Sequence, residues 1–397
     1  MIQSAGKKVL ILRPDSIGDV VLFSGCLRHI RKLYPDAKIT LAVKEHIINL
    51  VRLCPDVDEI LPYQRMLSWW LKFPYRFSRL GFFIRIAKKI DQIFSKFKLS
   101  QKVKIALLKK KNPNWDVIIC PVRSPEEHLL WFVKSVSAGE KIGIVDYQIN
   151  LKKNVFHPFE IFNDFMELEE KHFWQHELET NRRFIQYLTK KDLAVQEVWP
   201  EFWLLREDKD LPIKFDNGRK SYTVGLAVGA SVFFKEWPIE KYGELLNRLL
   251  SVKRVVLFGG ASETGKMNLV QKGIKCQRRE IEFINLVGKT TLRQLAASVN
   301  ICDLVISVDT ALLHIATALK IPTVGIMGGG HFGRFYPWGN PKINRVVNIA
   351  MDCYHCNWCC VYHDYRCVRD ISVSAVVAEC DVIFEELRKR PKANERF

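Results

Sequence analysis

No stretch of this sequence is apolar enough to cross a membrane. The longest run without a charged residue is fourteen residues, 221–234, and it contains two glycines. A spanning helix takes about 20 apolar residues. No secretory leader is expected either, because only a short apolar run precedes Arg13. Internal repeats and low-complexity tracts are absent, which excludes solenoids and arrays. Acids are scarce, 43 against 61 Lys and Arg, leaving a formal net charge of +18. Such a balance asks for an anionic partner: nucleic acid, a phosphate-bearing substrate or an acidic membrane surface. Hydrophobic residues, at 48%, exclude a disordered chain. At 397 residues two or three domains are expected. The eleven cysteines, with no leader ahead of them, are expected as thiols or metal ligands in a reducing cytoplasm.

The positive charge is regional. Residues 65–111 hold fourteen Lys and Arg against the single acid Asp91, thirteen of the eighteen net charges. Nine aromatics share the segment, Trp69, Trp70, Phe73, Phe82 and Phe83 among them. From residue 80 to 99, Phe82, Phe83, Ile86, Ile90, Ile93, Phe94 and Phe97 recur at steps of three and four, with Arg85, Lys88, Lys89 and Lys96 mostly between them. The spacing predicts a basic amphipathic helix, or two broken near Pro74. Its apolar face either packs on its own domain or lies on anionic lipid. No helix-turn-helix, zinc-finger or RNA-binding pattern accompanies the charge, so nucleic acid is not the expected partner.

Alternation of strands and helices sets the fold class, α/β. Strands are expected at 9–12, 38–43, 59–61 and 116–119, with a helix over 20–34 after the loop 13–19. Strand–helix–strand at this spacing makes the sheet parallel. Residues 150–205 carry no clear pattern. Residues 206–220 are charged and turn-forming and read as a linker. Beyond it the strands 223–228, 255–258, 283–286, 304–308 and 323–327 alternate with helices 239–250, 263–272, 291–299 and 310–319. The expected plan is two Rossmann-like, doubly wound domains facing a central cleft, 1–205 and 221–350. Residues 351–397 would follow as a cysteine-rich loop and a C-terminal helix. Ligands of such sheets bind at the carboxyl ends of the strands.

Several strand ends carry chemistry. Ser16, Gly18 and Asp19 follow the first strand. Gly18 suits a tight turn, and Asp19 suits a helix start, as an N-cap or as a base facing the cleft. Asp309 and Thr310 open the helix containing His314, and a helix N-terminus attracts phosphate. The plainer alternative makes Asp309 an N-cap and His314 a core histidine. Lys235, ahead of Trp237-Pro238 and a helix, can meet a diphosphate or simply sit in solvent. Gly260 to Lys266 fits the opening of a P-loop, but Met267 stands where Ser or Thr should hold magnesium. Glu263, at the tip of that turn, is better placed for ribose hydroxyls or a base. Asp56 and Asp58 flank Val57 between a proline and a strand, and do not read as a metal–nucleotide site. Cys353, Cys356, Cys359 and Cys367 allow a structural zinc, with His355 or His363 nearby. The spacing after Cys356 matches no common finger, so thiols packing a loop are expected instead.

Taken together, these motifs resemble glycosyltransferase family nine, the lipopolysaccharide heptosyltransferases. The resemblance runs from Val9 to about Val377. It rests on Ser16-Ile17-Gly18-Asp19-Val20, on residues 286–296 and 302–310, and on Gly333-Arg334 with Pro337-Trp338-Gly339. It implies a GT-B fold, with the acceptor on the N-terminal domain and the nucleotide-sugar on the C-terminal one. It implies inverting transfer without a metal or other cofactor. Asp19 matches the family's general base. Lys235, Glu263, Asp309, Thr310 and His314 match donor-binding positions, and Ser16, Gly18 and Arg334 match loops near the acceptor. Ala311-Leu312 depart from the Gly-Pro-like pair usual after the Asp-Ser/Thr. The expected donor is ADP-heptose-like. The expected acceptor is an anionic, lipid-linked glycan, met by a cytoplasmic enzyme peripheral to the inner face of the membrane. A P-loop-like nucleotide hydrolase, and a non-catalytic lipid- or nucleic-acid-binding relative of the fold, are the alternatives.

Overall fold

The computed structural model describes residues 5–64, 66, 114–146, 160–172, 174–204, 221–275 and 280–389. The amphipathic helix expected within 65–111 and the linker 206–220 lie outside the described residues, Met66 apart. Two six-stranded sheets, every pairing parallel, carry the fold.

The first sheet runs β3-β2-β1-β4-β5-β6. Its strands are β1 (Lys8–Leu12), β2 (Lys38–Val43), β3 (Glu59–Pro62), β4 (Trp115–Cys120), β5 (Ala138–Asp146) and β6 (Asp164–Leu168). The central strands β1 and β4 are buried on both faces, which is why they read as nearly unbroken Val, Leu and Ile. Leu10, Leu12, Ile118 and Cys120 pack there against Leu129, Leu130 and Val133. At the carboxyl ends Arg123 Nε donates to Asp146 Oδ2 at 2.7 Å, both side chains 2% exposed. Asp58 is a structural residue, since its Oδ2 accepts from Arg31 Nη2 and from the Ile39 amide, each at 2.7 Å.

The second sheet runs β12-β11-β10-β7-β8-β9. These are β7 (Tyr222–Ala227), β8 (Val252–Leu257), β9 (Glu282–Asn285), β10 (Leu304–Val308), β11 (Thr323–Ile326) and β12 (Asn344–Val347). Numbered within itself, each sheet has the doubly wound order 3-2-1-4-5-6, reversing direction at its centre. In the second sheet the reversal falls between β7 and β10.

The described α-helices are α1 (Ile17–Phe23), α2 (Leu27–Leu33), α3 (Ile48–Val51), α4 (Glu127–Ser135), α5 (Glu177–Thr189), α6 (Ile239–Arg248), α7 (Thr264–Lys275), α8 (Leu292–Val299), α9 (Ala311–Ala318), α10 (Arg366–Arg369) and α11 (Val373–Lys389). The single helix expected over 20–34 is instead two. Between them the backbone runs beneath residues 198 and 199, and a Cβ on Gly25 would stand 2.0 Å from the Trp199 carbonyl oxygen. Ser24 Oγ completes that corner, donating to Val21 O and accepting from the Glu201 amide.

Contacts divide the chain less simply than the linker suggests. One compact unit is Met1–Ser16, Cys26–Phe173 and Arg183–Leu193; the other is Ile17–Gly25, Trp174–Arg182 and Ala194–Phe397. The sheets fall on either side of residue 205, but α1 belongs to the second unit. There Asn181 Nδ2 donates to Leu22 O at 3.0 Å. Nor is the stretch after 350 a separate appendage. Val376, Cys380, Ile383 and Phe384 of α11 enter the core with Tyr242, Leu245 and Leu246 of α6. Phe384 stacks on Tyr222 at 4.3 Å. Each such burial contributes roughly 1.5–3 kcal/mol.

Candidate active site

Two charged side chains of the second unit meet where its sheet reverses. The turn after β7 carries Lys235, the turn after β10 carries Asp309, and these two strands are neighbours. The result is a short ion pair, Lys235 Nζ to Asp309 Oδ2 at 2.6 Å. The side chains are 18% and 9% exposed. Burial alone would push the Asp309 carboxyl up. The Lys235 ammonium overrides it, helped by His314 and His331, and the carboxyl lies below its ordinary range. Lys235 Nζ also sits 5.4 Å from the centre of a Trp358 ring, within cation–π reach. Asp309 is therefore not the N-cap. That position belongs to Thr310, in extended conformation and without a side-chain capping bond. The Thr310 hydroxyl lies 2.8 Å from Ser307 Oγ instead. The first amides of α9 thus open beside the ion pair.

Glu263 stands at the end of the next strand along, β8. It does not project from the tip of its turn, as its place in the sequence suggests. Its Oε2 turns back to accept from the Gly260 amide at 2.7 Å. Two glycines leave it room: a Cβ on Gly229 would come 2.0 Å from Oε1, and one on Gly259 2.5 Å from Oε2. The neighbouring P-loop-like run is otherwise occupied. Lys266 pairs with Glu236 at 2.5 Å, and Met267 is wholly buried in the core.

His314 is 4% exposed. Its Nδ1 accepts from Trp338 Nε1 at 3.1 Å, and Tyr336 meets the ring edge-on at 6.0 Å. Burial lowers its pKa, opposed by Asp309 and Asp19 and aided by Lys235. The other edge of the ring faces α1. A Cβ on Gly18 would stand 3.0 Å from His314 Cδ2. Gly18 is accordingly a close-packing glycine inside a helix rather than a turn glycine. Asp19 follows it in the first turn of α1, half-buried, with its charge acting on His314. Ser16 is exposed and closes the first segment of the other unit.

Several members were missed in the sequence. His331 bonds to Asn357 Oδ1 at 2.5 Å. Burial holds it below the ordinary histidine range, with Lys235, Asp309 and Arg334 all acting on it. Arg334, which the resemblance does name, lies over Phe335, 4.9 Å from the ring centre, and its carbonyl accepts from the Glu177 amide. Trp358 and Trp174 add aromatic walls, the latter stacked 4.3 Å from His355. His176 is driven down to about 4 by burial, with His314 adding to the effect. The resemblance had already set Pro337-Trp338-Gly339 beside Arg334; the aromatic run of the region was the remaining clue.

The zinc alternative finds no ligand set. Among the described residues no three His, Cys, Asp or Glu side chains are grouped as ligands of one ion. Cys353, Cys356, Cys359 and Cys367 are free thiols, Cys359 exposed and Cys367 buried. Burial raises the thiols of Cys356 and Cys367. Packing shapes this loop: Cβ atoms on Gly328, Gly329 and Gly330 would strike Val368, Tyr354 and Trp358.

Comparison with known proteins bears on the family and the fold. The model of glycosyltransferase family 9 (heptosyltransferase) matches residues 140–360. Lipooligosaccharide heptosyltransferase 2 of Campylobacter jejuni is 29% identical over 171 residues, 42% of this chain and 52% of that protein. The chain therefore aligns with about half the length of that relative. Lipopolysaccharide core heptosyltransferase OpsX of Haemophilus influenzae is 23% identical across 87% of this chain and 85% of its own length. The solved structure of Escherichia coli ADP-heptose lipopolysaccharide heptosyltransferase II superposes with a TM-score of 0.62 at 20% identity. It covers 96% of this chain and 99% of that one, so the fold is GT-B. With more than half its length matched by the family model, the chain belongs to glycosyltransferase family 9, the heptosyltransferases.

Proposed function

We propose that the protein transfers a heptose from an ADP-heptose-like nucleotide-sugar to a phosphate-bearing, lipid-linked glycan of the lipopolysaccharide core. Transfer inverts the anomeric centre and uses no metal ion. The observation that carries this is the largely buried Lys235–Asp309 pair beside the first turn of α9, which has no side-chain cap. A leaving diphosphate needs positive charge fixed in a partly dry place. Lys235 and the α9 amides supply it, with a partial charge of roughly +0.5 at the helix end. Thr310 adds a hydroxyl. Glu263, next along the strand ends, suits the hydroxyls of the nucleoside.

Asp19 takes the proton of the acceptor hydroxyl as its oxygen bonds to the anomeric carbon. The bond from that carbon to the diphosphate breaks on the opposite face. The basic segment 65–111 suits an anionic lipid surface at the cytoplasmic face of the membrane. Among the described residues, no helix is long and apolar enough to cross one.

The test is transfer by Asp19→Asn, with and without excess EDTA. The variant is expected to bind nucleotide-sugar normally and to turn over about 100-fold or more slower, the usual worth of a positioned base. Wild type is expected to be indifferent to EDTA. Near-wild-type turnover removes Asp19 as base. Activity abolished by EDTA and restored by Mg²⁺ or Mn²⁺ removes the metal-free mechanism.

A further inference from the structure

We propose that Trp338 is a positioning residue that holds His314 as the neutral tautomer with its proton on Nε2, presented toward the Gly18–Asp19 turn of α1. Indole nitrogen can only donate a hydrogen bond. With Trp338 Nε1 3.1 Å from His314 Nδ1, Nδ1 must offer its lone pair, and the ring proton resides on Nε2. A second proton on Nδ1 would set two N–H groups against each other. The ring is held from two sides. The Trp338 indole lies nearly parallel to it, 15° between planes at 6.4 Å, and Tyr336 meets it edge-on. Tyr336 is itself fixed by a 2.7 Å bond to Thr323 Oγ1. The remaining edge, Cδ2 and Nε2, is the one that faces Gly18.

Besides Tyr336, four charged or titratable groups act around this imidazole: Asp19 from α1, Asp309 from the turn after β10, Lys235 from the loop after β7, and His176 just ahead of α5. A charged imidazole would place a second cation next to Lys235 in a buried site. A neutral one still offers an N–H donor to the turn that carries the base. In this reading, which rests on the role proposed for Asp19, His314 orients the carboxylate, and Trp338 decides which nitrogen does so.

Long-range proton–nitrogen NMR of histidine-labelled protein tests it, with the His314 signal assigned by its loss in His314→Gln. Wild type is expected to show one neutral form protonated at Nε2. Trp338→Phe keeps the ring and removes the donor. It is expected to show mixed tautomers and a His314 titration moved up toward the ordinary range. Its kcat should fall up to about tenfold, the scale of one lost hydrogen bond, while KM for the nucleotide-sugar stays within about twofold. A wild-type signal protonated at Nδ1 overturns the proposal without any variant. So does a Trp338→Phe spectrum that keeps the wild-type tautomer. The spectra do not depend on turnover: a shifted tautomer in an enzyme whose Asp19→Asn variant stays active would refute the base, not the role of Trp338.

Discussion

Gly229→Ala is expected to evict Glu263 from the site while leaving the fold standing. The new Cβ would lie 2.0, 2.5 and 2.8 Å from Oε1, Cδ and Cγ of Glu263. The obstacle is the end of a flexible side chain, so the carboxylate swings away and the backbone stays. What the fold loses is the bond from the Gly260 amide, about 1–2 kcal/mol for a charged acceptor at a partly exposed turn. In a domain of about 200 residues each kcal/mol lowers Tm by roughly 2–4 °C. Nucleotide binding should suffer more. A carboxylate holding ligand hydroxyls contributes about 1.5–3 kcal/mol, or roughly 10- to 100-fold in Kd. Calorimetric titration with ADP of wild type, Gly229→Ala, Glu263→Ala and the double variant measures this. If glycine acts only by making room for Glu263, the double variant binds no worse than Glu263→Ala. Wild-type affinity in Gly229→Ala, or losses that add in the double variant, would refute the reasoning.

Acid should weaken the second unit through His176. Its pKa is about 4 in the fold and about 6.5 in an unfolded chain, so below pH 6.5 the unfolded chain binds the extra proton. Stability that is full above about pH 6.5 is then lost as pH falls toward 4, at up to about 1.4 kcal/mol per unit. His176→Asn, which keeps an acceptor for the Leu178 amide, should flatten thermal unfolding against pH; an unchanged slope rejects the assignment. For the segment 65–111, anionic liposomes should sediment the wild-type protein at low salt and release it near 1 M, where the Debye length is about 3 Å. Changing Arg85, Lys88, Lys89, Lys96 and Lys98 to Gln should abolish most of that binding, and equal binding by the variant would end the membrane role.

Strands buried on both faces were plain in the sequence because such positions accept little except Val, Leu and Ile. Hence β1, β4, β7 and β10 were expected close to where they stand. The strands β6 and β12, at sheet edges, and β5 next to one, were not. Asp164 and Glu167 in β6 and Glu140 and Lys141 in β5 break the apolar run, since an edge leaves part of each strand in water. The site divides in the same way. Asp309 directly follows β10 and Lys235 lies in the loop after the neighbouring β7, so the sheet topology brings them to the same end. Trp338, His331 and Trp358 arrive on loops, and no local pattern announces what such a loop will touch. Nor does anything in residues 16–26 reveal that α1 leaves the sheet it follows to pack in the other unit. Chain adjacency argues the opposite; the outcome follows from contacts far along the chain, Gly18 against His314, Leu22 O with Asn181, Ser24 with the Glu201 amide and Gly25 beneath Trp199.

That threading limits how the protein can be cut or shuffled. The unit that carries Lys235, Asp309 and His314 is assembled from three separate stretches of chain, two of them under ten residues long. A fragment starting at the linker would carry the whole second sheet, yet it would lack the helix that covers one edge of His314. Expressed alone, it would offer a raw face where Gly18 had been. A chimera built by exchanging C-terminal halves between relatives would match each new His314 with a foreign α1. Fitness in such hybrids should therefore track the pairing of residues 17–25 with α9, not the total count of foreign residues. In evolutionary terms this unit is not a portable cassette: its inheritance is tied to the opening of the chain.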